Sequence, residues 1–176
     1  YVRKPDVNWG SSSQSQSFTT ALRSVQSLNR VDDHVKNYRP KILIISGNPG
    51  DRPCLIDFAQ LIAKRLSLLE SVHVADSSLD SRKMDAMKGL ANTWLNNNHI
   101  KAFHSVTRND SFFEGVRSAL ELNGLGKLSA NMMLIGFKQD WQHSAHDTEE
   151  YYKALVTAFD MHLAVGVLRM NGFGHF

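Results

Sequence analysis

The stretch Lys41-Ile42-Leu43-Ile44-Ile45-Ser46-Gly47-Asn48-Pro49-Gly50-Asp51-Arg52-Pro53 constrains the fold more than any other part of this sequence. Four branched apolar residues stand in a row with no polar alternation, which suits a strand buried on both faces. Such a strand needs helices packed above and below it, so the run points to a parallel sheet in an α/β domain. The chain then breaks at a glycine- and proline-marked turn and enters a long amphipathic segment, giving strand, tight loop and helix. In open parallel sheets the loops at the carboxyl ends of the strands form the crevice where ligands bind, so a small-molecule site is expected to begin at this loop.

The same unit repeats downstream. Leu55, Phe58, Ala59, Ile62, Leu66 and Leu69 recur at helical spacing, with Asp51 as the expected N-cap and Pro53 in the first turn, and predict a helix to about Leu69. Val72 to Ala75 reads as the second strand, Met84 to Leu95 as a helix and Ile100 to Val106 as the third strand. Ser111 with Glu114 is a capping-box pattern opening a helix that stops at Gly124. Met132 to Gly136 is an apolar fourth strand, Asp147 and Glu150 open a helix carrying Tyr152, Leu155, Val156 and Phe159 inward, and Leu163 to Met170 is the fifth strand. Strand starts fall roughly 30 residues apart, the length of a right-handed βαβ unit. The expected fold is therefore α/β, a doubly wound five-stranded parallel sheet of order 3-2-1-4-5 with helices on both faces. That order sets the loops after the first and fourth strands face to face.

Residues 1–40 read as a lead-in to the α/β domain at 41–176. Tyr1 to Gly10 is irregular, with Trp9 as an apolar anchor expected to dock on the body. Ser11 to Ser17 is a polar linker or helix lead-in. Phe18, Leu22, Val25 and Leu28 predict one helix ending near Asn29. The chain opens on Tyr1 without an initiator Met and is expected to be a piece of a longer polypeptide.

Composition removes several classes. Hydrophobic residues make up 42% and charged ones 21%, as in an ordinary globular domain with one good core. No run of about 18 apolar residues and no signal peptide is visible. The net charge of +3 is scattered in short pairs rather than in a basic run, which argues against nucleic acid. The single cysteine, Cys54, forms no internal disulfide and fits a reducing, cytosolic setting.

Few residues carry chemistry. Gly47-Asn48-Pro49-Gly50 could present backbone N–H groups to a phosphate at a helix start, with Asp51 beside it and Gly136 and Lys138 across the switch point. The glycine spacing is neither that of a P-loop nor that of a dinucleotide fingerprint, and a tight strand-to-helix turn is the plainer reading. Cys54 near a helix start reads as a small buried apolar residue, because no base is identified for it. His143 and His146 with Asp147 have metal-compatible spacing, but no further ligand pair completes a set, and a polar loop is the better reading. No catalytic motif appears, so the chain is not read as an enzyme and is assigned no metal or catalytic residues.

Several segments taken in order resemble the cytoplasmic C-terminal region of cation–chloride cotransporters, in particular the sodium–potassium–chloride branch. They are Lys4-Pro5-Asp6-Val7-Asn8-Trp9-Gly10, Asp33-His34-Val35-Lys36-Asn37-Tyr38-Arg39-Pro40, Arg52-Pro53, Ile100-Lys101-Ala102-Phe103, Gly124-Leu125-Gly126-Lys127, Gly136-Phe137-Lys138 with Trp141, and Ala158-Phe159-Asp160. The resemblance implies the first half of a regulatory domain on the cytoplasmic side of the plasma membrane, behind a multi-pass transport core. The parent would couple electroneutral chloride entry to sodium and potassium. The domain would assemble a homodimer, contact the transmembrane core of its own chain, and relay the action of regulatory kinases and phosphatases in cell-volume control. It also implies a fold similar to the universal stress proteins. The alternative it leaves open is nucleotide sensing, with ATP or AMP held by Gly47, Asn48, Gly50, Asp51, Gly136 and Lys138. The second glycine of a stress-protein phosphate loop is missing after Gly136.

Overall fold

The structure is a computed structural model and describes residues 11–32, 34–64 and 66–169. The expectations for Tyr1 to Gly10, including the docking of Trp9, and for the tail from Met170 lie outside the described residues. The chain divides into two compact units, residues 1–38 and 39–176.

In the first unit, helix α1 spans Ser12–Leu28. Ser11 caps it reciprocally with Gln14, its hydroxyl accepting the Gln14 N–H at 3.3 Å while the Gln14 side chain accepts the Ser11 N–H at 3.4 Å. The Ser/Gln run is thus helical from Ser12. No residue of α1 is buried. A single 3-10 turn follows at Val35–Asn37.

The second unit is a five-stranded parallel sheet of β1 (Ile42–Ile45), β2 (Leu69–Ala75), β3 (Phe103–Arg108), β4 (Met132–Gly136) and β5 (Ala164–Leu168). The order is β3-β2-β1-β4-β5, as expected from the repeated unit. Helices α2 (Pro53–Ala63), α3 (Ser81–Asn97), α4 (Phe112–Leu122) and α5 (Ala145–Asp160) connect the strands. β1 is central, with Ile42 in register with both Leu69 and Met132. Its alternate side chains feed two cores. Ile42 and Ile44 pack with Leu55, Ile56, Leu95 and Leu134 on one face. Leu43 and Ile45 pack with Val72, Val116, Met133 and Ala158 on the other. This is the physical meaning of four apolar residues in a row.

Several boundaries differ from expectation. The helix expected from Asp51 to Leu69 is α2 alone, because Asp51 belongs to a 3-10 turn at Pro49–Asp51 and Arg52 is the capping position. Lys64 ends α2 in the left-handed region at φ 48°, and Leu69 already pairs with Ile42 in β2. Leu66 and Leu69 fall on the helical period by coincidence. The third strand runs from Phe103 to Arg108, two to three residues later than expected, and Ser144 rather than Asp147 caps α5 by accepting the Asp147 N–H at 3.3 Å.

Candidate functional site at the switch point

β1 and β4 are adjacent, and their following loops diverge over the carboxyl end of the sheet. Between them opens a cleft of about 1130 Å³. Gly47, Asn48, Asp51, Gly136 and Lys138 all line it, as does Cys54. Gly50 does not. It sits in the 3-10 turn against Trp94 of α3, and a Cβ there would lie 3.4 Å from the indole.

The backbone of the first loop is largely committed. Gly47, at φ 71°, donates its N–H to the Val72 carbonyl at 3.1 Å, and Asp51 donates to the Asn48 carbonyl at 3.0 Å. The Asn48 amide also donates to the Asp51 carboxylate at 3.1 Å. α2 opens on Pro53, which has no N–H, and no side chain caps it. Two of the N–H groups that would cradle a phosphate are therefore already used.

The facing loop is also tied down. Lys138 lies 3.3 Å from the Asp140 carboxylate and 3.9 Å from that of Asp147. The Asp140 carboxyl is held below its ordinary value, first by its own backbone N–H and then by Lys138. Tyr151 donates its hydroxyl to the Gly136 carbonyl at 3.2 Å, and burial raises its pKa. Glu150 spans to α4, where it accepts the Phe112 N–H at 2.9 Å. Arg52 reaches over Gly136, its Nη1 3.5 Å from where a Cβ would stand, and no ion pair engages it among the described residues. The ionised lining thus comprises Asp51, Asp140, Asp147 and Glu150 against Arg52 and Lys138, an acidic balance that opposes a polyphosphate.

Beneath the cleft a polar thread crosses three strands. Ser46 donates its hydroxyl to the Gly47 carbonyl at 3.0 Å, lies 2.8 Å from the Ser71 hydroxyl, and Ser71 lies 3.1 Å from Nδ1 of His104. With the Ser46 proton committed, Ser71 donates to Ser46 and accepts from His104, which assigns the Nδ1–H tautomer to that ring. Burial, then neighbouring His73 and Lys88, push the His104 imidazole down to about 4. Burial also lowers His73, with Asp51 pulling it back up, and its buried Nδ1 has no hydrogen-bond partner among the described residues. A histidine whose folded pKa is depressed stabilises the fold fully above its unfolded value of 6.5 and loses that contribution as pH falls toward about 4. The partly exposed ring is screened, so the expected loss is about 1–2 kcal/mol. Urea unfolding at pH 7 and pH 4.5 checks this, and His104→Gln should flatten the difference.

Sequence reasoning missed Arg52, His73, Glu150 and Tyr151 as cleft residues, as well as the Ser46–Ser71–His104 thread. Only the topology brings them together, though the polar Ser71 and His73 within an apolar strand were the available signal. His143 and His146 stay apart from any ligand set. The His146 ring is exposed, 3.6 Å from Glu150, and no group of three or more potential metal ligands converges among the described residues.

The fold and cleft define a doubly wound α/β domain with an open switch-point crevice. The sequence profile of solute carrier family 12 matches residues 52–174. The chain is 39% identical over 173 residues to the bumetanide-sensitive sodium-(potassium)-chloride cotransporter of Manduca sexta, covering 98% of this chain and 16% of that protein. It is 40% identical over 174 residues to human solute carrier family 12 member 3, covering 96% and 17%. It is 37% identical over 172 residues to rat solute carrier family 12 member 1, covering 96% and 16%. The chain belongs to solute carrier family 12 and is a cation–chloride cotransporter domain. It spans about a sixth of the length of these relatives. Among solved structures it is similar to a universal stress protein family member from Burkholderia pseudomallei, with a TM-score of 0.45, 15% identity, and coverage of 73% of this chain and 95% of that one. A universal stress protein in complex with cAMP has a TM-score of 0.44 and 9% identity, with coverage of 76% and 99%. No helix among the described residues is long and apolar enough to cross a membrane.

Proposed function

We propose that this chain is the cytoplasmic regulatory and dimerisation domain of a sodium–potassium–chloride symporter, whose parent imports chloride electroneutrally with both cations. The observation that supports the reading is similarity to cotransporters over nearly the whole chain, a stretch with no membrane-crossing helix among its described residues. On this reading the domain is not an enzyme. Its partners are a second copy, the transmembrane core of its own polypeptide, and the kinases and phosphatases that set the parent's activity in cell-volume control. Full-length polypeptides bearing two different tags test the dimerisation part. Capture of one tag is expected to bring down the other, and removal of residues 39–176 to reduce that recovery several-fold. Recovery unchanged by the deletion would remove dimerisation from the role of this domain.

A second reading, nucleotide sensing, draws on Arg52, a cation that lies over Gly136 in the cleft and that no ion pair engages among the described residues. The carboxylate-rich lining and the committed Lys138 weigh against it. Calorimetric titration with AMP and ATP separates the two. The first reading expects no saturable heat at millimolar nucleotide, whereas saturable binding weakened by Arg52→Ala would establish the second.

A further inference from the structure

Helix α3 is held to the sheet by less than any other helix of the α/β unit. It runs for 17 residues, yet only Ala91 and Leu95 are buried, whereas α2 and α4 each bury four residues in 11. α5 also buries only two, Ala154 and Ala158, but the hydrogen bonds of Glu150 with Phe112 and of Tyr151 with Gly136 pin it to its neighbours. No side chain of α3 makes a hydrogen bond or ion pair to another element among the described residues, and the Thr93 hydroxyl donates within the helix to the Gly89 carbonyl.

The sequence of α3 does little to offset this. Asp80 stands at the N-cap without a side-chain cap bond, and the first turn carries Arg82 and Lys83 with no acid, against the helix dipole. Gly89 interrupts the interior, where only proline is a poorer helix former. A detached helix of this length and composition does not hold itself, so leaving the sheet means melting.

The sheet beneath α3 is polar. Side chains alternate across a strand, so Ser71 shares the face of Leu69, which packs with Leu95 of α3, and His104 stands in register beside Ser71. Ser46, Ser71 and His104 satisfy one another there without help from α3. Half-buried Lys88 of α3 stands near enough to His104 to disfavour a charge on the ring. Lifting α3 therefore breaks none of these bonds and returns polar groups to water as well as apolar ones.

One residue of α3 reaches the loop after β1. The Trp94 indole lies 3.4 Å from where a Cβ of Gly50 would stand. Gly50 is the middle of the Pro49–Asp51 turn, which carries Asp51 and leads into Arg52, both lining the cleft.

We propose that α3 is a detachable cover that leaves the sheet and melts as a unit while the rest of the α/β unit stays folded, and that Trp94, drawn off Gly50, releases the turn carrying Asp51 and Arg52. Openings of this kind are drawn from the least buried elements of a fold. The coupling is reciprocal. A ligand seated in the cleft against this turn would hold α3 down, and a partner that captured melted α3 would loosen that wall of the cleft. The inference depends on neither the dimerisation nor the nucleotide reading.

Native-state hydrogen exchange of the 176-residue chain in low urea tests the proposal, with the amides of β1 reporting global unfolding. The amides of residues 86–95 and that of Asp51, which donates to the Asn48 carbonyl, are expected to exchange through one shared opening. That opening should make them exchange about 100-fold or more faster than β1, with a smaller urea dependence. Gly89→Ala, where a Cβ meets nothing within 4 Å, should slow exchange about three- to five-fold in α3 and by the same factor at Asp51. Amides of α3 that exchange only in the global transition with β1 would overturn the cover. Exchange at Asp51 that ignores Gly89→Ala, while α3 slows, would overturn the coupling through Trp94.

Discussion

Gly124→Ala is expected to destabilise the domain by about 3 kcal/mol. Gly124 lies at φ 72° just past the end of α4, where the chain doubles back on itself. A Cβ there would stand 2.4 Å from the Ser129 Cα, 2.6 Å from its N and 2.7 Å from the Leu128 carbonyl oxygen. These are backbone atoms, so no rotamer change relieves the clash, and the left-handed conformation adds its own cost for an L side chain. The fold cannot yield cheaply at this point, because the Asn123 side chain accepts the Ala130 N–H at 2.6 Å and fixes the returning chain ahead of β4. Thermal unfolding should show a drop of about 6–12 °C for a domain of this size. Gly89→Ala is the control: its Cβ would meet nothing within 4 Å in the interior of α3, so the same exchange should be neutral or stabilising.

The second large effect is expected at Gly115, where α4 presses against β2. A Cβ there would come within 2.3 Å of one Val74 methyl and 2.9 Å of the other. Valine is stiff about χ1, so it cannot swing aside. Gly115→Ala should cost about 2 kcal/mol through overpacking, despite alanine's better helix propensity. Because the obstruction is a single side chain, Val74→Ala in the Gly115→Ala background should recover about half or more of that loss in a double-mutant cycle measured by urea unfolding. Simple additivity would show that the backbones, and not Val74, set the spacing.

These two glycines also show what was legible in the sequence. Gly124 was readable as the stop of α4, because a glycine after an amphipathic run signals a left-handed terminus. Gly115 was not, because its need comes from a valine on another strand. The same division runs through the molecule. The apolar run at β1, the repeat length of the units and the Ser111–Glu114 cap carried the topology, since each is encoded locally. The early end of α2 was hidden because Lys64 adopts a conformation usually marked by glycine, while Leu66 and Leu69 continue the helical period. At the cleft, the loops after β1 and β4 could be placed face to face from strand order alone. The acidic balance, the clamp on Lys138 and the reach of Arg52 depend on α5 and on side-chain directions that no local pattern encodes. Gly50 looked like part of the loop's ligand face, yet it is spent on packing against Trp94.

The proposed role of this domain is to regulate a transporter without forming its ion path. The most direct test exchanges residues 39–176 in the full-length protein for the matching stretch of human solute carrier family 12 member 3, then measures sodium, potassium and chloride uptake before and after hypertonic shrinkage at equal surface amounts. The account predicts that the dependence on each ion stays that of the recipient's membrane core while the response to shrinkage changes. Ion dependence that moves with the exchanged domain, or a response to shrinkage untouched by it, would contradict the account.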